Sequence, residues 1–592
     1  MKRFLPCVLC AGLVLAGCPE PQTTQEEEGP AAWDADAFFE ELAGEVVTHW
    51  VAEEPIAADV PPVDAEMLAN PEASPERWLQ YSGNYRGYRH SPVASITPET
   101  VRDLQVAWGF GPGTKGQFAV SPVVYGGIMY VSTSYNRLFA LDARTGEILW
   151  RYDHPDPDDS IRDCCGPANR GVGIHGNRVF MGTLDAKLLA FDRRTGEIDW
   201  QVEVIDYRRG YSITAAPLVI DDRLIIGMAG GEWGIRSFFD AYDPETGERL
   251  WRHYTVPAEG EPGIETWVAE SYKSGGASTW HPGAYDAETD TVFWATGNPG
   301  PTFSGATRTG DNLFADSVLA VDARSGERKW HFQFTPHNVW DWDGNTQLFL
   351  VDIERDGKPV KALVQPNRNG FFYILDRTTG EFLDGVQYVE ELNWATLDDK
   401  GRPVLTEAAK LSVTTRELIC PGAGGGMNAA YSGSFNPELG LAFIPNMEAC
   451  TAYIREDIEF VEGLPYQAGI SDFPEPEKSY SNISAIDVAT GEVRWRYRDE
   501  AGLWAGTVST AGGVVFAGNL AGEIIGLNAE TGERIWSFRA GSGIRGQPVV
   551  FELDGEPYLA YSSGGMPIGE AMMFTHSPVP ADPQLYVFKI PK

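Results

Sequence analysis

The chain has 592 residues, and its 84 acidic side chains outnumber 46 lysines and arginines to give a formal net charge of −38. This charge argues against binding to nucleic acid or to anionic membrane surfaces. A hydrophobic content of 43% indicates a globular chain with a large core, and the length predicts several domains unless the chain is built from repeats.

The first residues have the pattern of an export signal. The charged pair Lys2-Arg3 precedes an apolar run over residues 4–16 that is too short to span a bilayer. The segment Leu15-Ala-Gly-Cys18 resembles the bacterial lipobox, in which the cysteine is lipidated and becomes the new N-terminus. We therefore predict a lipoprotein signal peptide over residues 1–18 with Cys18 lipidated; the alternative is an ordinary signal peptide with an incidental cysteine. Proline rather than aspartate at position 19 is, by the same resemblance, compatible with sorting to the outer membrane.

Residues 19–75 are predicted to be a tether or linker, because their first part consists of Pro, Gln, Thr and Glu with little to bury. No later run is apolar enough to predict a transmembrane helix. Four cysteines lie beyond the signal, and an even number in an exported chain predicts disulfide bonds: Cys164, Cys165, Cys420 and Cys450.

One motif recurs within residues 76–592. An alternating apolar run reaches an aspartate, a Thr-Gly-Glu turn follows, and a tryptophan closes the motif, as in Asp142–Trp150. The same motif returns at Asp192–Trp200, Asp243–Trp251, Asp322–Trp330 and Asp487–Trp495, with a close variant at Asn528–Trp536 and a copy without the tryptophan at Asp376–Asp384.

Each copy predicts a small antiparallel sheet that cannot bury both faces alone, and radial stacking of such sheets buries them. The turn and its tryptophan are similar to the docking motif between blades of quinoprotein propellers. Seven copies, with one more blade from the region near Trp108 and the C-terminal run Leu585–Ile590, predict an all-β, eight-bladed propeller closed by both chain ends. The wide spacing between Asp376 and Asp487 predicts insertions on one face, where site-forming loops are expected.

Several common motifs are excluded. The run Gly171-Val-Gly-Ile-His-Gly176 matches a dinucleotide fingerprint, but a strand-like segment follows it where that fingerprint requires a helix. The sequence contains no Walker A motif, no H-E-x-x-H and no C-x-x-C-H, so it carries no covalent haem of its own.

The run Asp163–Gly171 contains the most specific chemical signal, the adjacent pair Cys164-Cys165. Adjacent cysteines do not suit one zinc site, whose ligands are normally separated by two or more residues. In an oxidising compartment the two are expected to bond to each other, which strains the peptide between them. The alternative is two separate disulfides, with Cys420 and Cys450 as the partners.

This run resembles the vicinal disulfide and following arginine of the pyrroloquinoline quinone (PQQ)-dependent methanol and alcohol dehydrogenases. The resemblance extends from Trp78-Leu-Gln-Tyr-Ser-Gly83 to the C-terminus. It implies that the Cys164–Cys165 ring lies against one face of the quinone and that Trp280 stacks on the other. It also implies that Cys420–Cys450 is a second, structural disulfide.

The resemblance implies roles for further residues. Arg170 would bind a cofactor carboxylate through its guanidinium fork, and Arg368 would contact the quinone oxygens. Other implied cofactor contacts are the Thr214 hydroxyl, the backbone of Gly230 and Gly231, and the side chains of Asn428 and Trp504. The implied metal ligands include Glu232 and Asn298.

The stretch Thr335–Gly344 places two carboxylates at i and i+2, which share a face in an extended segment. A cation between them would remove their repulsion, whereas the alternative is an exposed Asp-Gly turn. By the resemblance, Asp341 is the catalytic base and a metal-site residue, and Asp343 is the extra acidic residue of the lanthanide-dependent branch. Together with Glu232 these carboxylates would balance a trivalent ion, so we predict one metal ion, a lanthanide rather than the alternative Ca²⁺.

One position departs from the family pattern. Many members carry a cofactor-contacting glutamate where this chain has Ala119, which puts cofactor affinity in question. The resemblance otherwise implies oxidation of a primary alcohol or aldehyde by hydride transfer to PQQ, with electrons passed to a periplasmic cytochrome c. The competing hypothesis is a cofactor-free propeller lipoprotein that acts as a scaffold in outer-membrane assembly.

Overall fold

The computed structural model describes residues 49–114, 116–155, 157, 166–427, 431–564 and 582–591. Within these ranges the chain is mostly β, with two short α-helices. The predictions for the signal peptide, Cys18, the Cys164–Cys165 bond and Asn428 lie outside the described residues.

Eight antiparallel sheets form an eight-bladed propeller, as the repeat predicts. We number the blades in chain order. The strands of blades 1 to 4 are Val123–Tyr125, Ile128–Thr133, Arg137–Asp142 and Ile148–Asp153; Gly173–His175, Arg178–Gly182, Lys187–Asp192 and Ile198–Glu203; Leu218–Ile220, Arg223–Gly227, Phe238–Tyr242 and Arg249–Tyr254; and Ala284–Asp286, Thr291–Ala295, Ser317–Asp322 and Arg328–Gln333.

Blades 5 to 8 complete the ring. Their strands are Phe349–Arg355, Lys358–Pro366, Phe371–Asp376 and Phe382–Gln387; Gly426–Met427 with Ser434–Asn436, Leu441–Glu448, Tyr480–Asp487 and Val493–Asp499; Val508–Thr510, Val514–Gly518, Glu523–Asn528 and Arg534–Arg539; and Val549–Leu553, Glu556–Ser563, Gln584–Lys589 and Gln105–Phe110. A short strand, His90–Ser91, adds to blade 7 in parallel with its first strand.

Each recurring turn has the same local cause. The Asp142 carboxylate accepts the backbone N–H groups of Arg144 and Thr145, at 2.8 and 3.0 Å, which closes the turn before the last strand of blade 1. The same bonds form at Asp192 (to residue 194), Asp243, Asp322, Asp376, Asp487 and Asn528. Asp and Asn favour such turns because their short side chains reach the backbone two residues on.

Six tryptophans each dock on the turn of the following blade. The Trp150 indole N–H donates to the Arg193 carbonyl at 3.0 Å, and a Cβ on Gly196 would lie 2.7 Å from the indole. Trp108, Trp200, Trp251, Trp330 and Trp495 donate in the same way to carbonyls of the next turn, at 3.0–3.3 Å. The recurring spacing of turn and tryptophan therefore fixes the contact between neighbouring blades.

The chain ends meet in blade 8. Strand Gln105–Phe110 pairs antiparallel with strand Gln584–Lys589, with Gly109 opposite Tyr586. This confirms the predicted closure. Pairing the two ends in one sheet leaves the ring without an open gap between blades.

The remaining elements lie between or outside the blades. The helices are Ala65–Ala69 and Glu407–Ser412, with 3₁₀ turns at Pro71–Ala73, Val101–Asp103, Ser134–Asn136, Tyr207–Arg209, Gly231–Trp233, Ile264–Thr266, Ser271–Ser274 and Pro476–Lys478. Two insertions each hold a two-stranded ribbon. The first, between blades 5 and 6, pairs Ala395–Leu397 with Pro403–Leu405. The second, within blade 6, pairs Ala452–Arg455 with Gly469–Asp472.

The C-terminal part of the predicted linker packs on the propeller. The Ala52 N–H donates to the Thr195 carbonyl at 2.9 Å, and Val63 exchanges backbone hydrogen bonds with Gly176 at 2.9 and 2.8 Å. Val63 and Leu68 are buried in the core under blades 1 to 3. Across the described ranges, no helix combines the length and apolar character required to traverse a bilayer.

Candidate active site

The acidic loop Thr335–Gly344 connects the last strand of blade 4 to the first strand of blade 5. It is not extended as expected, because Asp341 adopts a left-handed backbone conformation with φ 64°. Trp340 and Trp342 point into the core, where their ring centroids lie 5.0 Å apart and that of Trp342 lies 4.5 Å from Trp394. The two tryptophans anchor the loop in the core. Asp341 and Asp343 do not enter the core in this way but bind a common partner.

That partner is Asn298, which follows the second strand of blade 4. Its side-chain N–H donates to an Asp341 oxygen at 2.6 Å, and its backbone N–H donates to an Asp343 oxygen at 3.2 Å. Asn338 donates to the Asn298 side-chain oxygen at 2.7 Å. Asn298, Asp341 and Asp343, three of the four predicted metal-site residues, therefore meet. The two aspartates lie 43 and 45 positions after Asn298 in the sequence.

Glu232, the fourth predicted metal residue, lies in the turn Gly231–Trp233 of blade 3. Ser278 connects this turn to the acidic loop: its hydroxyl lies 3.0 Å from a Cβ built on Gly231 and 2.9 Å from one on Gly297, where the Asp343 carboxylate also lies. No group of three acidic, histidine or cysteine side chains that includes Glu232 gathers within 4.8 Å among the described residues. Among the described residues, Glu391, Cys420 and Cys450 do gather within 4.8 Å of one another. This group offers no thiolate to a metal ion, because the two cysteines are bonded to each other.

Burial controls the charge of the acidic residues. It raises the pKa of Asp341 to about 7; Asp343 adds to this shift, and Arg368 and the Asn298 hydrogen bond oppose it. Burial also raises the pKa of Asp343 against the opposing charge of Arg368. Fully buried Asp316 has a pKa well above its usual range because of burial and of Asp343 nearby. Crowded carboxylates of this kind favour a bound cation, which would stabilise their ionised forms.

Two buried arginines face the same region. An Arg368 N–H donates to the other Asp343 oxygen at 3.2 Å, and the same side chain donates to the Ala423 carbonyl. The Arg170 guanidinium lies over the Trp280 ring at 4.7 Å and bonds the Thr214 carbonyl at 3.5 Å. In the described structure the Nε atoms of both arginines are buried without a hydrogen-bond partner. Because an unmade bond of a buried charged donor is costly, these donors point to an anionic ligand.

The glycine pair predicted to approach the cofactor is closely packed. Gly230 has φ 114°, and a Cβ there would overlap the Gly210 carbonyl oxygen. Trp504 is buried in an apolar cluster with Ala119, Tyr431, Met447 and Leu520. The departure at Ala119 is thus accommodated by apolar packing at this position.

The Cys420–Cys450 disulfide is formed, with the Cα atoms 4.5 Å apart, so the alternative pairing of these cysteines with Cys164 and Cys165 is wrong. The segment after Cys420 supports the site. Its Gly422 carbonyl accepts the Trp342 indole N–H at 3.2 Å, and the next carbonyl, that of Ala423, accepts the Arg368 bond.

Sequence reasoning missed three supporting residues. Asp316 accepts the Gly344 backbone N–H at 3.0 Å, and buried Arg308 donates to the Asn338 carbonyl at 2.5 Å and to the Pro301 carbonyl at 3.1 Å. Asn338 stands inside the acidic loop, so its position there was a usable signal. Asp316 and Arg308 have no local signal, because only the folded chain brings them to the loop.

Comparisons with known proteins agree with this geometry. A family model described as "Glucose/ethanol/alcohol dehydrogenase, beta-propeller domain" matches residues 78–395. A second model, "Outer membrane protein assembly factor BamB", matches residues 479–558. The chain is 38% identical over 530 residues to quinoprotein alcohol dehydrogenase PedH of Pseudomonas putida, covering 84% of this chain and 88% of that protein.

Two further similar proteins are methanol dehydrogenases named for a lanthanide. The lanthanide-dependent methanol dehydrogenase of Methylorubrum extorquens is 32% identical over 545 residues, covering 86% of this chain and 90% of that protein. The structure of a europium-containing methanol dehydrogenase matches with a TM-score of 0.83 and 29% identity, covering 88% of this chain and 100% of that one. On its fold, its clustered site residues and these relatives, the chain belongs to the PQQ-dependent alcohol dehydrogenase family.

Proposed function

We propose that this protein oxidises a primary alcohol, or the derived aldehyde, with PQQ and one metal ion on the periplasmic side of the membrane. The observation that carries the proposal is the joining of Asp341 and Asp343 on Asn298, with Arg368 bonded to Asp343. A lipid anchor at Cys18 would attach the enzyme to the outer membrane, and electrons would pass to a periplasmic cytochrome c.

The residues present fit both groups. PQQ carries several carboxylates on a flat ring system, which suits the buried donors of Arg170 and Arg368 and the indole face of Trp280. Glu232, Asn298, Asp341 and Asp343 offer only hard oxygen ligands, which suit Ca²⁺ or a lanthanide ion. When bound, PQQ supplies the two-electron acceptor and the metal supplies Lewis-acid polarisation.

Asp341 is the proposed general base that removes the alcohol hydroxyl proton. A pKa of about 7 leaves a substantial ionised fraction at neutral pH, and a cation beside the carboxylate would increase that fraction. The Asn298 hydrogen bond at 2.6 Å holds one carboxylate oxygen, so the other is left for the substrate. The stacked Trp340 and Trp342 exclude water from the inner side of the loop.

The activity is tested by reconstituting the purified protein with PQQ and either Ca²⁺ or La³⁺ and measuring dye-linked alcohol oxidation. We expect activity with La³⁺ and bound quinone absorbance. Absence of both with either ion would contradict the proposal and favour the scaffold hypothesis, which the BamB-model match over residues 479–558 keeps open.

Replacing Asp341 with Asn tests the base. We expect the Asp341→Asn variant to bind quinone but to lose about 10²–10⁴-fold in kcat, the usual contribution of a general base. The isosteric change Asp356→Asn, in an exposed hairpin turn, is the control and should keep full activity. Wild-type turnover by Asp341→Asn would refute the assignment.

Replacing Asp343 with Ala tests metal choice. Removing one anionic ligand should weaken La³⁺ binding by about 10–100-fold and weaken Ca²⁺ binding less, because the trivalent ion depends more on negative charge. Metal titration of the apoprotein by calorimetry measures both affinities. Unchanged affinities for both ions would assign Asp343 a turn-forming role instead, and equal losses would mean that it does not set the choice of metal.

A further inference from the structure

Large apolar side chains exposed to solvent are concentrated in the two insertions that hold the ribbons, within residues 395–425 and 449–472. Elsewhere in the described chain they are scattered over outer strands and loops. In the insertions they are Val404, Leu405, Leu411, Val413, Ile458, Phe460, Val461, Leu464 and Ile470. Five of these lie within residues 458–470, and an exposed apolar patch usually marks an interaction site.

One part of this surface is also acidic. Residues 456–464, Glu-Asp-Ile-Glu-Phe-Val-Glu-Gly-Leu, interleave four carboxylates with four apolar side chains; we call this segment the acidic–apolar strip. Val461 and Leu464 are 52% and 53% exposed, and all four carboxylates face solvent. Glu462 is paired with Arg209 at 2.5 Å, which attaches the strip to the turn Tyr207–Arg209 between blades 2 and 3. An apolar centre with charged neighbours is the composition of a docking surface for a protein of opposite charge.

The strip lies against the shell of the active site. The Phe460 ring packs on Tyr466 at 5.2 Å and lies 2.6 Å from a Cβ built on Gly234, at the end of the turn that carries Glu232. The Tyr466 N–H donates to the Glu232 carbonyl at 2.6 Å, and the next residue, Gln467, accepts the Phe303 N–H at 2.9 Å. A protein seated on the strip would therefore lie next to the turn that carries Glu232.

We propose that the acidic–apolar strip is the docking surface for a basic, one-electron-accepting redox protein that reoxidises this enzyme. This inference rests on the proposed function. Oxidation of R–CH₂OH to R–CHO releases two electrons and two protons, so two acceptor molecules are each reduced by one electron and the protons go to solvent. The carboxylates of Glu456, Asp457 and Glu459, on a chain of net charge −38, attract a basic partner, and Val461 and Leu464 supply apolar area to bury.

The test uses the reconstituted holoenzyme and a basic c-type cytochrome as the probe. The charge-reversal variant Glu456→Lys/Asp457→Lys/Glu459→Lys should lower kcat/KM for the cytochrome by about tenfold or more at low salt and flatten its salt dependence. Val461→Ser/Leu464→Ser should lower the same constant without changing the salt dependence. Dye-linked alcohol oxidation should stay at the wild-type rate in both variants.

A matched control carries the same charge change elsewhere. Glu147→Lys/Glu197→Lys/Glu248→Lys alters exposed turn glutamates of blades 1 to 3 and should leave cytochrome kinetics nearer to wild type than the strip variant does. Binding of oxidised cytochrome is measured separately by sedimentation velocity, which needs no turnover. Strip-dependent binding without alcohol oxidation would contradict the proposed function and still support the docking surface.

Two results would overturn the inference. One is cytochrome binding and reduction that both strip variants leave unchanged while dye-linked activity is normal. The other is a wild-type dimer that Val461→Ser/Leu464→Ser converts to monomer with no effect on cytochrome kinetics, which would make the strip a contact between copies of this chain.

Discussion

At the scale of single residues, the site depends on amides that orient carboxylates. Asn298 can present its N–H to Asp341 only because Asn338 donates to its side-chain oxygen at 2.7 Å. Asn338 is itself held, since its side-chain oxygen accepts the Trp340 N–H at 2.9 Å and its carbonyl accepts the Arg308 bond at 2.5 Å. The orientation of the Asn298 amide is thus set by a fully buried neighbour.

Replacing Asn338 with Ala should therefore affect both folding and metal binding. Leaving the buried partners unpaired should lower the free energy of unfolding by about 1–3 kcal/mol, and a freely rotating Asn298 amide should weaken metal binding by about 10–100-fold. Thermal unfolding and calorimetric metal titration of the apoprotein measure the two effects. Asn436→Ala is the control, because buried Asn436 also makes two hydrogen bonds, with Leu439 and Thr510, but in the hairpin between strands Ser434–Asn436 and Leu441–Glu448 of blade 6. If both variants lose the same metal affinity, Asn338 has only a structural role.

At the scale of elements, six of the eight blades are each joined to the next by one indole and one glycine. Where the sequence lacks the tryptophan, in the copy Asp376–Asp384, Val386 takes its place and lies 2.7 Å from a Cβ built on Gly491. Glycine is required at these turns because the backbone has a left-handed φ and because a Cβ would collide with the docked side chain. Blade docking is therefore a packing requirement on the turn as well as a hydrogen bond.

Gly196→Ala separates these two requirements. Gly196 has φ 78°, and a Cβ built on it would lie 2.7 Å from the Trp150 ring. Gly440 has φ 65°, and a Cβ built on it would have no atom within 4 Å. Gly440→Ala should cost about 1–2 kcal/mol of unfolding free energy from backbone strain alone. Gly196→Ala should cost about 1–3 kcal/mol more because the methyl group displaces the indole. Urea denaturation measures the loss of unfolding free energy in each variant. Equal losses in Gly196→Ala and Gly440→Ala would mean that Trp150 moves aside freely.

At the scale of the whole molecule, ring closure couples all eight blades. Leu585, Val587 and Phe588 of the last strand are buried in the same core as Trp108 and Phe110 near the start of the propeller. Because each blade covers the face of its neighbour, an unclosed ring would expose the flanks of blades 7 and 1 as well as an unpaired strand edge.

Truncation tests the closure. A chain ending at Asp582 should lose the cooperative thermal transition and aggregate, because strand Gln584–Lys589 is removed from the middle of blade 8. A chain ending at Ile590 keeps every strand and should melt with the full-length protein. Circular dichroism with size-exclusion chromatography reports both outcomes; a soluble, cooperatively folded Asp582 truncation would show that closure is dispensable.

The amino-acid sequence by itself determined the propeller. The Asp…Thr-Gly-Glu…Trp spacing acts locally, through an aspartate-closed turn and an indole that reaches the next turn, so repetition along the chain is enough to predict blades, their number and their closure. The sequence also pointed to Asn298, Asp341, Asp343, Arg170, Arg368 and Trp280, because these residues stand in motifs similar to those of the family.

Only the tertiary structure decided how those residues meet. Sequence reasoning expected an extended acidic loop, but Asp341 is left-handed because Trp340 and Trp342 are both drawn into the core beside Trp394. Asp316 and Arg308 reach the loop from other segments through bonds that no local pattern encodes. Local turn chemistry depends on neighbours in sequence and is readable there, whereas the electrostatics of the site depend on burial and on distant partners that exist only after the ring has closed.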